Sequence, residues 1–458
     1  MARSWSSVTH SVSAGRALLL LTLSSCTTDS PTFPAGPGVE GARAAPAAPT
    51  VTSTDPQAGA RNSTINVRVL GTGYDRGSRA LWALNGDTAL ATTKVKTNST
   101  RYVSSKELLA NITIAADATV DLYDVVAITS SGKKGIGIEK FAVTIEVIDL
   151  GVGDGSSATA VNNSNQIVGR GGSSGAFVWQ NGVVTVLSGL PGSAGAQAED
   201  INASGWIAGT SSSTTGSRAV LWTPKVGGGY NLPVDLGTLG GSSSEATAIN
   251  DAGVVAGDSR IPGDLVSHAV FWDANRQIHD IHTVQGGESF TFGISSSGEV
   301  VGQWNGPTNQ QAFKYASSTG MVRYPGVGGP QGVGIDINST GQFVGWSGVS
   351  ASTPLRATLW TGGSVTDLET LGGASSVGIA ITDAGLVVGR SDTGVQRSGG
   401  QQFLPFTWTA DQGMLPLALP SGRDYGQAMD VNSNGWIVGE TYLVKGVGRA
   451  TVWRPQAP

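Results

Sequence analysis

Alternating apolar and polar positions recur from residue 147 to the C-terminus in a unit of about forty residues, repeated seven times. Each unit has a strand of small residues, a tight turn, a second strand ending in glycine, a loop, and a third strand ending in an aromatic residue. The glycine recurs at Gly169, Gly209, Gly257, Gly302, Gly345, Gly389 and Gly439. The aromatic residue recurs at Trp179, Trp222, Trp272, Tyr315, Trp360, Trp408 and Trp453. With a fourth strand such as Val234–Gly237, this period predicts an all-β fold, a seven-bladed β-propeller.

The last unit lacks its fourth strand, because only five residues follow Trp453. We name the strands of a unit a to d, from the axis outward. Val147–Gly151, just before the first unit, matches strand d of a complete unit. We therefore expect this N-terminal strand to complete the seventh blade and close the propeller, which spans residues 146–458.

Residues 51–145 show the two-residue alternation of a second all-β domain. Ile65, Val67 and Val69 alternate with polar residues, as in a half-buried strand. Further strands are predicted over residues 80–86, 102–114, 120–129 and 141–147. The turn Gly71–Tyr74 and the strand that contains Trp82 resemble IPT/TIG domains, which are immunoglobulin-like folds of surface proteins. The resemblance implies an immunoglobulin-like β-sandwich with Trp82 in its core.

The first 25 residues have the order of a secretory signal, with Arg3 and Arg16 before or beside the apolar run Ala17–Leu23. The next residues, Leu23–Cys26, resemble the lipobox of bacterial lipoproteins. The resemblance implies cleavage before Cys26, lipidation of its sulfur, and a place in the bacterial cell envelope, as an outer-membrane or cell-surface lipoprotein. Residues 26–50 are rich in Pro, Ala and Gly without periodicity, which predicts a disordered tether.

Composition narrows the choice of partners. Hydrophobic residues make up 39 % of the chain, so a large core is expected. The net charge of −5 and the absence of a basic stripe argue against nucleic acid as a partner. Since no later stretch has the roughly 20 apolar residues of a transmembrane helix, contact with a membrane is expected only through the lipid anchor. We expect a monomer.

The third strands also carry a family resemblance. His268–Trp272 has the sequence HAVFW, and residues 176–179 and 312–315 keep the Ala-Phe pair. These strands resemble the repeats of the bacterial extracellular HAF-repeat family, named for a His-Ala-Phe tripeptide. The resemblance covers about two thirds of the chain and implies the propeller fold. It implies no activity.

The b–c loops vary from residues 170–175 to residues 390–403, so ligand binding is expected on the face that carries them. Cationic side chains lie just before strand c or just after strand b on this face: Arg170, Arg218, His268, Arg356, Arg390 and Arg449. Together they would form a ring that binds carboxylate or sulfate groups. The alternative is that each cation pairs with a nearby carbonyl or carboxylate.

Two aromatic residues and three aspartates complete the candidate set. Trp304 and Trp346 lie in or beside b–c loops, where an exposed indole would pack on a sugar ring, unless a neighbouring blade buries it. Asp200, Asp336 and Asp430 share one position of strand a, which otherwise holds only alanine or glycine. Near the axis they would hold a hydrated cation such as Ca²⁺, or accept backbone N–H bonds from the next blade.

Motifs for catalysis are absent from the sequence: there is no nucleophile elbow, H-E-x-x-H or phosphate loop. The sequence therefore favours non-catalytic binding of an extracellular glycan or a surface protein, without a cofactor. A carbohydrate-active enzyme, a lyase or hydrolase using acidic residues and arginines of the b–c face, is an alternative, with Glu245, Asp258, Asp264 and Glu440 as acidic candidates. A structural or partner scaffold is the other alternative.

Overall fold

A computed structural model describes residues 47–84, 94–115, 118–172, 175–348, 354–443 and 447–455. All regular secondary structure in this described part is β-strand, and it contains no helix long and apolar enough to cross a membrane. The strands form nine four-stranded sheets within these ranges, two before residue 145 and seven built from residues after it. The chain is therefore all-β, as its alternating pattern predicts.

The N-terminal pair of sheets forms a sandwich. Its strands are β1 (Thr50–Asp55), β2 (Ala58–Ala60), β3 (Ser63–Thr72), β4 (Arg79–Leu84), β5 (Val95–Ser104), β6 (Glu107–Ile114), β7 (Asp121–Ile128) and β8 (Lys134–Thr144). One sheet has the order β1-β3-β6-β5 and the other β2-β8-β7-β4. Strand β6 alternates buried and half-buried residues along its whole length, and the faces enclose one core. Trp82 lies in that core, edge-on to Phe141 with ring centroids 5.9 Å apart.

Two strand predictions in this region are wrong. The run 141–147 is divided, because β8 ends at Thr144 and a strand of another sheet begins at Glu146. The run 102–114 is a hairpin, because β5 ends at Ser104 and β6 begins at Glu107. The paired residues Ser104 and Glu107 flank a two-residue turn. Four consecutive polar residues, SSKE at 104–107, interrupt the alternation at the point where the chain reverses.

The seven remaining sheets form what we call the ring. Its strands begin with β9 (Glu146–Asp149) and continue, sheet by sheet, with β10 (Ser157–Val161), β11 (Ile167–Gly171), β12 (Gly175–Gln180) and β13 (Val183–Val186); β14 (Gly195–Ile201), β15 (Ile207–Ser213), β16 (Gly216–Trp222) and β17 (Val234–Asp235); β18 (Ser244–Ile249), β19 (Val255–Arg260), β20 (Ser267–Trp272) and β21 (Ile278–Asp280).

The fourth to seventh sheets contain β22 (Glu288–Ile294), β23 (Val300–Asn305), β24 (Gln310–Ala316) and β25 (Gly320–Tyr324); β26 (Gln331–Ile337), β27 (Phe343–Gly348), β28 (Arg356–Thr361) and β29 (Ser364–Asp367); β30 (Ser376–Ile381), β31 (Val387–Arg397), β32 (Gly400–Thr409) and β33 (Gly413–Pro416); β34 (Tyr425–Val431), β35 (Ile437–Tyr442) and β36 (Gly448–Arg454). In the first six sheets, four consecutive strands pair in antiparallel order a-b-c-d.

The seventh sheet takes its strand d from the other end of the ring sequence. β9 pairs with β36, with Asp149 opposite Thr451 and Val147 opposite Trp453. This is the pairing that the sequence predicts. Strands a of neighbouring sheets contact each other all the way round, and β34 contacts β10. The sheets therefore form a closed, propeller-like ring with the a strands innermost.

The repeated aromatic residues pack between sheets, as predicted. Trp222, Trp272, Trp360 and Trp453 are fully buried. The indole N–H of Trp222 donates to the Ser188 carbonyl oxygen at 2.8 Å, just beyond strand d of the preceding sheet. Each of these indoles removes a large apolar area from water. Trp360 and Trp453 donate in the same way to the Pro325 and Ala418 carbonyl oxygens of the preceding sheet, whereas the indole N–H of Trp272 has no hydrogen-bond partner among the described residues.

The sandwich meets the ring almost without a linker, since only Ile145 separates β8 from β9. Three alanines of the sandwich pack against Ala418 of the ring: Ala58, Ala60 and Ala142. The backbone N–H of Ala418 donates to the Thr144 hydroxyl at 3.3 Å. Arg397, at the end of the long β31–β32 hairpin, pairs with Asp55 of the sandwich. The predicted loop 390–403 is therefore mostly a hairpin that braces the two parts.

Candidate functional site

A cavity of about 490 Å³ lies on the ring axis and is lined by strand a of all seven sheets. Every a–b pair has a β-bulge at the same place, where one residue of strand a has no partner on strand b. A bulge redirects the side chain at that point. The seven bulge residues all line the cavity: Thr159, Glu199, Thr247, Phe292, Ile335, Ile379 and Met429.

The cavity has a polar wall and an apolar wall. The bulge residues of the first three sheets are Thr159, Glu199 and Thr247, and those of the other four are Phe292, Ile335, Ile379 and Met429. Arg170, Gln197 and Glu245 extend the polar wall. Phe292 is 37 % exposed, a large fraction for a phenylalanine in a packed ring. The cavity therefore offers a hydrogen-bonding surface opposite an apolar one, as small-molecule sites usually do.

The polar wall carries the carboxyl groups of Glu199 and Glu245, and Asp258, which is not part of the lining, is paired with Glu245 on the next strand. Burial raises the pKa of Glu199, the charge of Arg170 lowers it and that of Glu245 raises it further. Burial, together with the charge of Glu245, raises the pKa of Asp258 to about 7. Asp258 lies opposite Glu245 on the neighbouring strand. Among the described residues, neither Glu199 nor Asp258 has a hydrogen-bond or ion-pair partner, whereas Arg170 donates to the Gln197 side-chain oxygen at 3.4 Å.

The three aspartates of strand a bridge neighbouring sheets. Asp200 accepts the N–H of Ile201 and that of Ile249 in the next sheet, each at 2.7 Å. Asp336 and Asp430 make the corresponding pairs of bonds at 2.7–2.8 Å. Both oxygens of each carboxylate are thus occupied by backbone donors, which is the structural role considered in the sequence analysis. Burial raises the pKa of Asp200 to about 6 and that of Asp430 to about 8, against the effect of these donors.

A shared metal site is not formed by these aspartates. Each one points toward a different sheet-to-sheet boundary, namely that between the second and third sheets, the fifth and sixth, and the seventh and first. In the described ranges, no group of three His, Cys, Asp or Glu side chains is arranged to hold a metal ion.

The predicted ring of cations is wrong for four of its six members. Each of the four cations before strand c pairs with an aspartate of strand d of the same sheet: Arg218 with Asp235 at 3.0 Å, His268 with Asp280 at 2.8 Å, Arg356 with Asp367 at 3.0 Å and Arg449 with Asp149 at 3.1 Å. These four side chains point toward strand d of their own sheet, so each one links strand c to strand d. They do not converge on a common anion site.

The other two cations differ from these four. Within the described residues, neither Arg170 nor Arg390 forms an ion pair. Arg170 lines the axial cavity. Arg390 is exposed, and its guanidinium lies 5.5 Å from the centre of the Phe403 ring. Only Arg170 therefore lies where a ligand in the cavity would meet it.

The tryptophan prediction also needs correction. Trp304 lies within β23, not in a loop; it is only 5 % exposed, and its indole N–H donates to the Gly286 carbonyl oxygen at 3.0 Å. Arg323 covers the ring at 4.5 Å. Trp346 lies in strand β27 and is half-buried. Trp304 is therefore buried by the neighbouring structure, which was the alternative prediction. Its ring is not exposed for packing on a sugar.

The bulge residues were missed by sequence reasoning, although a signal exists. They directly precede the position that holds Asp200 and its equivalents, and they vary from threonine to phenylalanine beside nearly constant neighbours. Variation at one place in a constant strand marks a side chain that does not pack in the core. Alternation alone hides it, because a bulge adds one residue to the two-residue period.

Asparagines form a second set of bridges on the opposite, a–b face. The side-chain N–H of Asn202 donates to the Asn250 carbonyl oxygen in the next sheet at 3.1 Å, and Asn162, Asn250, Asn338 and Asn432 do the same at their boundaries. Their Oδ1 atoms accept backbone N–H groups of the a–b turns, the role that the sequence predicts. The asparagine side chains of this face are therefore occupied by structural hydrogen bonds.

Comparison with known proteins leaves the family open. No protein-family model matches the chain, and no curated protein matches it. Among solved structures it is similar to TolB from Acinetobacter baumannii, at 15 % identity and a TM-score of 0.35 over 55 % of this chain and 64 % of that one. The chain thus spans less than two thirds of that structure.

Two further structures come from Bacteroides. A DUF4784 family protein from Bacteroides caccae is similar at 9 % identity and a TM-score of 0.23, over 87 % of this chain and 95 % of that one. A quinonprotein alcohol dehydrogenase-like protein from Bacteroides thetaiotaomicron is similar at 9 % identity and a TM-score of 0.24, over 80 % and 95 %. Likeness at this level assigns neither a ligand nor an activity.

Proposed function

We propose that the chain is a non-catalytic binding protein of the bacterial cell envelope, which recognises an extracellular glycan in its axial cavity. In this proposal the ring is a seven-bladed propeller and residues 51–145 are an immunoglobulin-like, IPT/TIG-related domain that carries it. Seven four-stranded sheets, with strand β9 completing the last, support the first assignment. Two packed four-stranded sheets around Trp82, antiparallel except for the parallel pair of β2 and β8, support the second.

One observation carries the glycan assignment: the division of the cavity into polar and apolar walls. A sugar ring has hydroxyl groups at its edge and an apolar C–H face. Glu199, Gln197 and Arg170 supply the acceptors and donors that hydroxyls need. Phe292, on the other side, supplies an exposed aromatic face for the C–H groups. A cavity of this volume is within the range of small-ligand sites.

The proposed location rests on the N-terminal sequence. The lipobox-like Leu23–Cys26 and the tether to residue 50 supply an anchor and a spacer, and this would place the cavity away from the membrane surface. Cys26 and residues 27–46 lie outside the described residues, so lipidation stays a prediction.

A glycan array followed by isothermal titration of the full chain in detergent tests the proposal. We expect Phe292→Ala to weaken binding of the best glycan about tenfold or more, because the aromatic face is lost. The matched control is Leu265→Ala, which removes an apolar side chain that is 79 % exposed and outside the cavity lining. Equal binding by Phe292→Ala and Leu265→Ala would refute the cavity as the glycan site. A blank array would favour the scaffold alternative.

A carbohydrate-active enzyme is the second candidate, and one pair of residues favours it. Glu245 and Asp258 are opposite each other on β18 and β19, where side chains are about 4.5–5.5 Å apart at Cβ. The raised pKa of Asp258 suits a general acid with a second carboxyl group beside it. Asp264, by contrast, accepts a backbone N–H in a turn, and Glu440 is bound to Gln427. Shortened oligosaccharides after incubation, detected by mass spectrometry, would favour the enzyme.

A further inference from the structure

The lining of the axial cavity is unbalanced in charge. The described lining holds five carboxyl groups and one guanidinium: Glu199, Asp200, Glu245, Asp336, Asp430 and Arg170. Asp200, Asp336 and Asp430 are saturated by backbone N–H groups, so Glu199 and Glu245 are the carboxylates left to meet a ligand. The cavity is therefore an acidic site with two acceptors on one wall.

Partners of these two acids are few. Glu199 has no hydrogen-bond or ion-pair partner among the described residues. Glu245 receives one bond in that part of the chain, from the Ser217 hydroxyl at 3.1 Å. Glu199 is half-buried and Glu245 is exposed, and a cation placed beside a partly buried carboxylate that has no partner favours its charged form. The raised pKa of Glu199 has the same origin, since burial disfavours its charged form.

Other cations of the ring do not reach the cavity. Arg218, His268, Arg356 and Arg449 are held by aspartates of strand d. Arg170 is turned toward Gln197 on the same wall. An acidic sugar would therefore meet one arginine and two carboxylates, and like charges at short range repel. Arg170 offsets only one of the two carboxylates, so a second cation, which the described lining does not supply, has to come from the ligand.

The apolar wall limits what that ligand can be. Phe292, Ile335, Ile379 and Met429 face the acids across the cavity. A bare inorganic cation would leave this wall in contact with water. A ligand with a compact C–H face and an ammonium group on its edge satisfies both walls at once. An amino sugar with a free amine has this arrangement.

We propose that the cavity selects glycans that contain a de-N-acetylated amino sugar, with the ammonium group between Glu199 and Glu245 and the C–H face of the ring on Phe292. This inference rests on the proposed function. It adds that the charge of the glycan decides recognition. Charge-assisted bonds to the two carboxylates supply the selectivity, because an acetylated nitrogen carries no charge and fewer donors.

Titration of the full chain in detergent with four probes tests this. The probes are the β-1,4-linked trimers of glucosamine and of N-acetylglucosamine, a galacturonic acid trimer, and spermidine. We expect the glucosamine trimer to bind about tenfold or more tightly than the acetylated trimer, and the galacturonic acid trimer not to bind. Glu199→Gln and Glu245→Gln should each remove most of this preference.

The control variant is Asp411→Asn, which removes an exposed carboxylate in the turn between β32 and β33, far from the cavity lining. It should bind the glucosamine trimer like the unmodified chain. If the acetylated trimer binds equally well and Phe292→Ala weakens it, the charge inference is wrong and the glycan site stands. If only spermidine binds, both the amino-sugar inference and the glycan function are wrong. If no probe binds, the amino-sugar inference is wrong. If the glycan array is blank as well, the proposed glycan function is also wrong.

Discussion

The position four residues before the repeated tryptophan of strand c shows how one residue type changes the contacts of a repeated site. Three sheets place an arginine there, and the third sheet has His268. His268 stacks on His282, with ring centroids 4.2 Å apart. His282 Nδ1 in turn lies 2.7 Å from the Ser289 hydroxyl, whereas the equivalent Ser244 donates to a backbone carbonyl. Contacts between the third and fourth sheets thus depend on two titratable rings.

This arrangement predicts a pH-dependent stability. Burial lowers the pKa of His282 below its ordinary value of 6.5, and the charge of His268 lowers it further, while the charge of Asp280 raises it. A lowered histidine pKa in the folded state means that the unfolded chain binds more protons at acid pH. The contribution of His282 is therefore complete above pH 6.5 and is lost as the pH falls below it. Thermal melts between pH 5 and 8 measure it.

His282→Asn is the informative variant, because its side-chain oxygen can take the place of Nδ1 but does not titrate. We expect the melting temperature of the unmodified chain to fall more steeply below pH 6.5 than that of the variant. Raised carboxyl pKa values, such as that of Asp258, act in the opposite direction in both proteins and cancel in the difference. Parallel curves would show that His282 makes no such contribution.

At the scale of elements, the strength of the boundaries between sheets is uneven. An aspartate of strand a and an asparagine of the a–b turn both cross the boundary between the fifth and sixth sheets: Asp336 to Ile381 at 2.8 Å and Asn338 to Thr382 at 3.2 Å. The boundary between the fourth and fifth sheets has neither, because Gly293 and Ser295 stand at those positions. Side-chain hydrogen bonds therefore cross only some of the boundaries between sheets, whereas buried aromatic residues pack at most of these boundaries.

Asp336→Asn tests the value of such a bridge. Both Asp336 oxygens accept a backbone N–H, and an asparagine can offer only one oxygen, so one buried donor loses its acceptor. We expect a loss of about 1–3 kcal/mol in the free energy of unfolding. Asp383→Asn at the same boundary is the matched control, because Asp383 is exposed and uses a single oxygen, for the Ser339 N–H. Equal losses in urea titrations of the two variants would contradict the argument.

How far the sequence predicts this molecule also depends on the element. Strand d of the seventh sheet is predictable from Val147–Gly151. The last repeat lacks its fourth strand, and an extra copy of that strand precedes the first repeat. The ion pairs of Arg218 and Arg356 are not predictable from the sequence. Their aspartates are 17 and 11 residues away and become neighbours only because strands c and d pair. Trp304 was misplaced because β23 continues past its repeat glycine, Gly302. The cavity depends on bulges, which alternation does not register.

On the scale of the whole molecule, strand β9 has two roles. Ile148 packs with Leu150 in the cluster between the seventh and first sheets, and Val147 packs in the cluster around Trp453. The same strand follows directly from β8 of the sandwich. The closure of the ring therefore depends on a segment that belongs, in sequence, to the end of the N-terminal domain. A fragment of the ring that begins a few residues later in the sequence would lack strand β9.

Two fragments that differ by five residues separate closure from the loss of the sandwich. Fragment 146–458 keeps β9, and fragment 151–458 lacks it; both lack the sandwich and expose Ala418 equally. We expect the shorter fragment to melt several degrees lower or to self-associate, because β36 becomes an open edge and the apolar contacts of Val147, Ile148 and Leu150 are lost. Differential scanning calorimetry and size-exclusion chromatography measure both effects. Identical melting and elution would mean that contacts between β34 and β10 close the ring without β9, and that the repeated strand at 147–151 serves only to attach the sandwich.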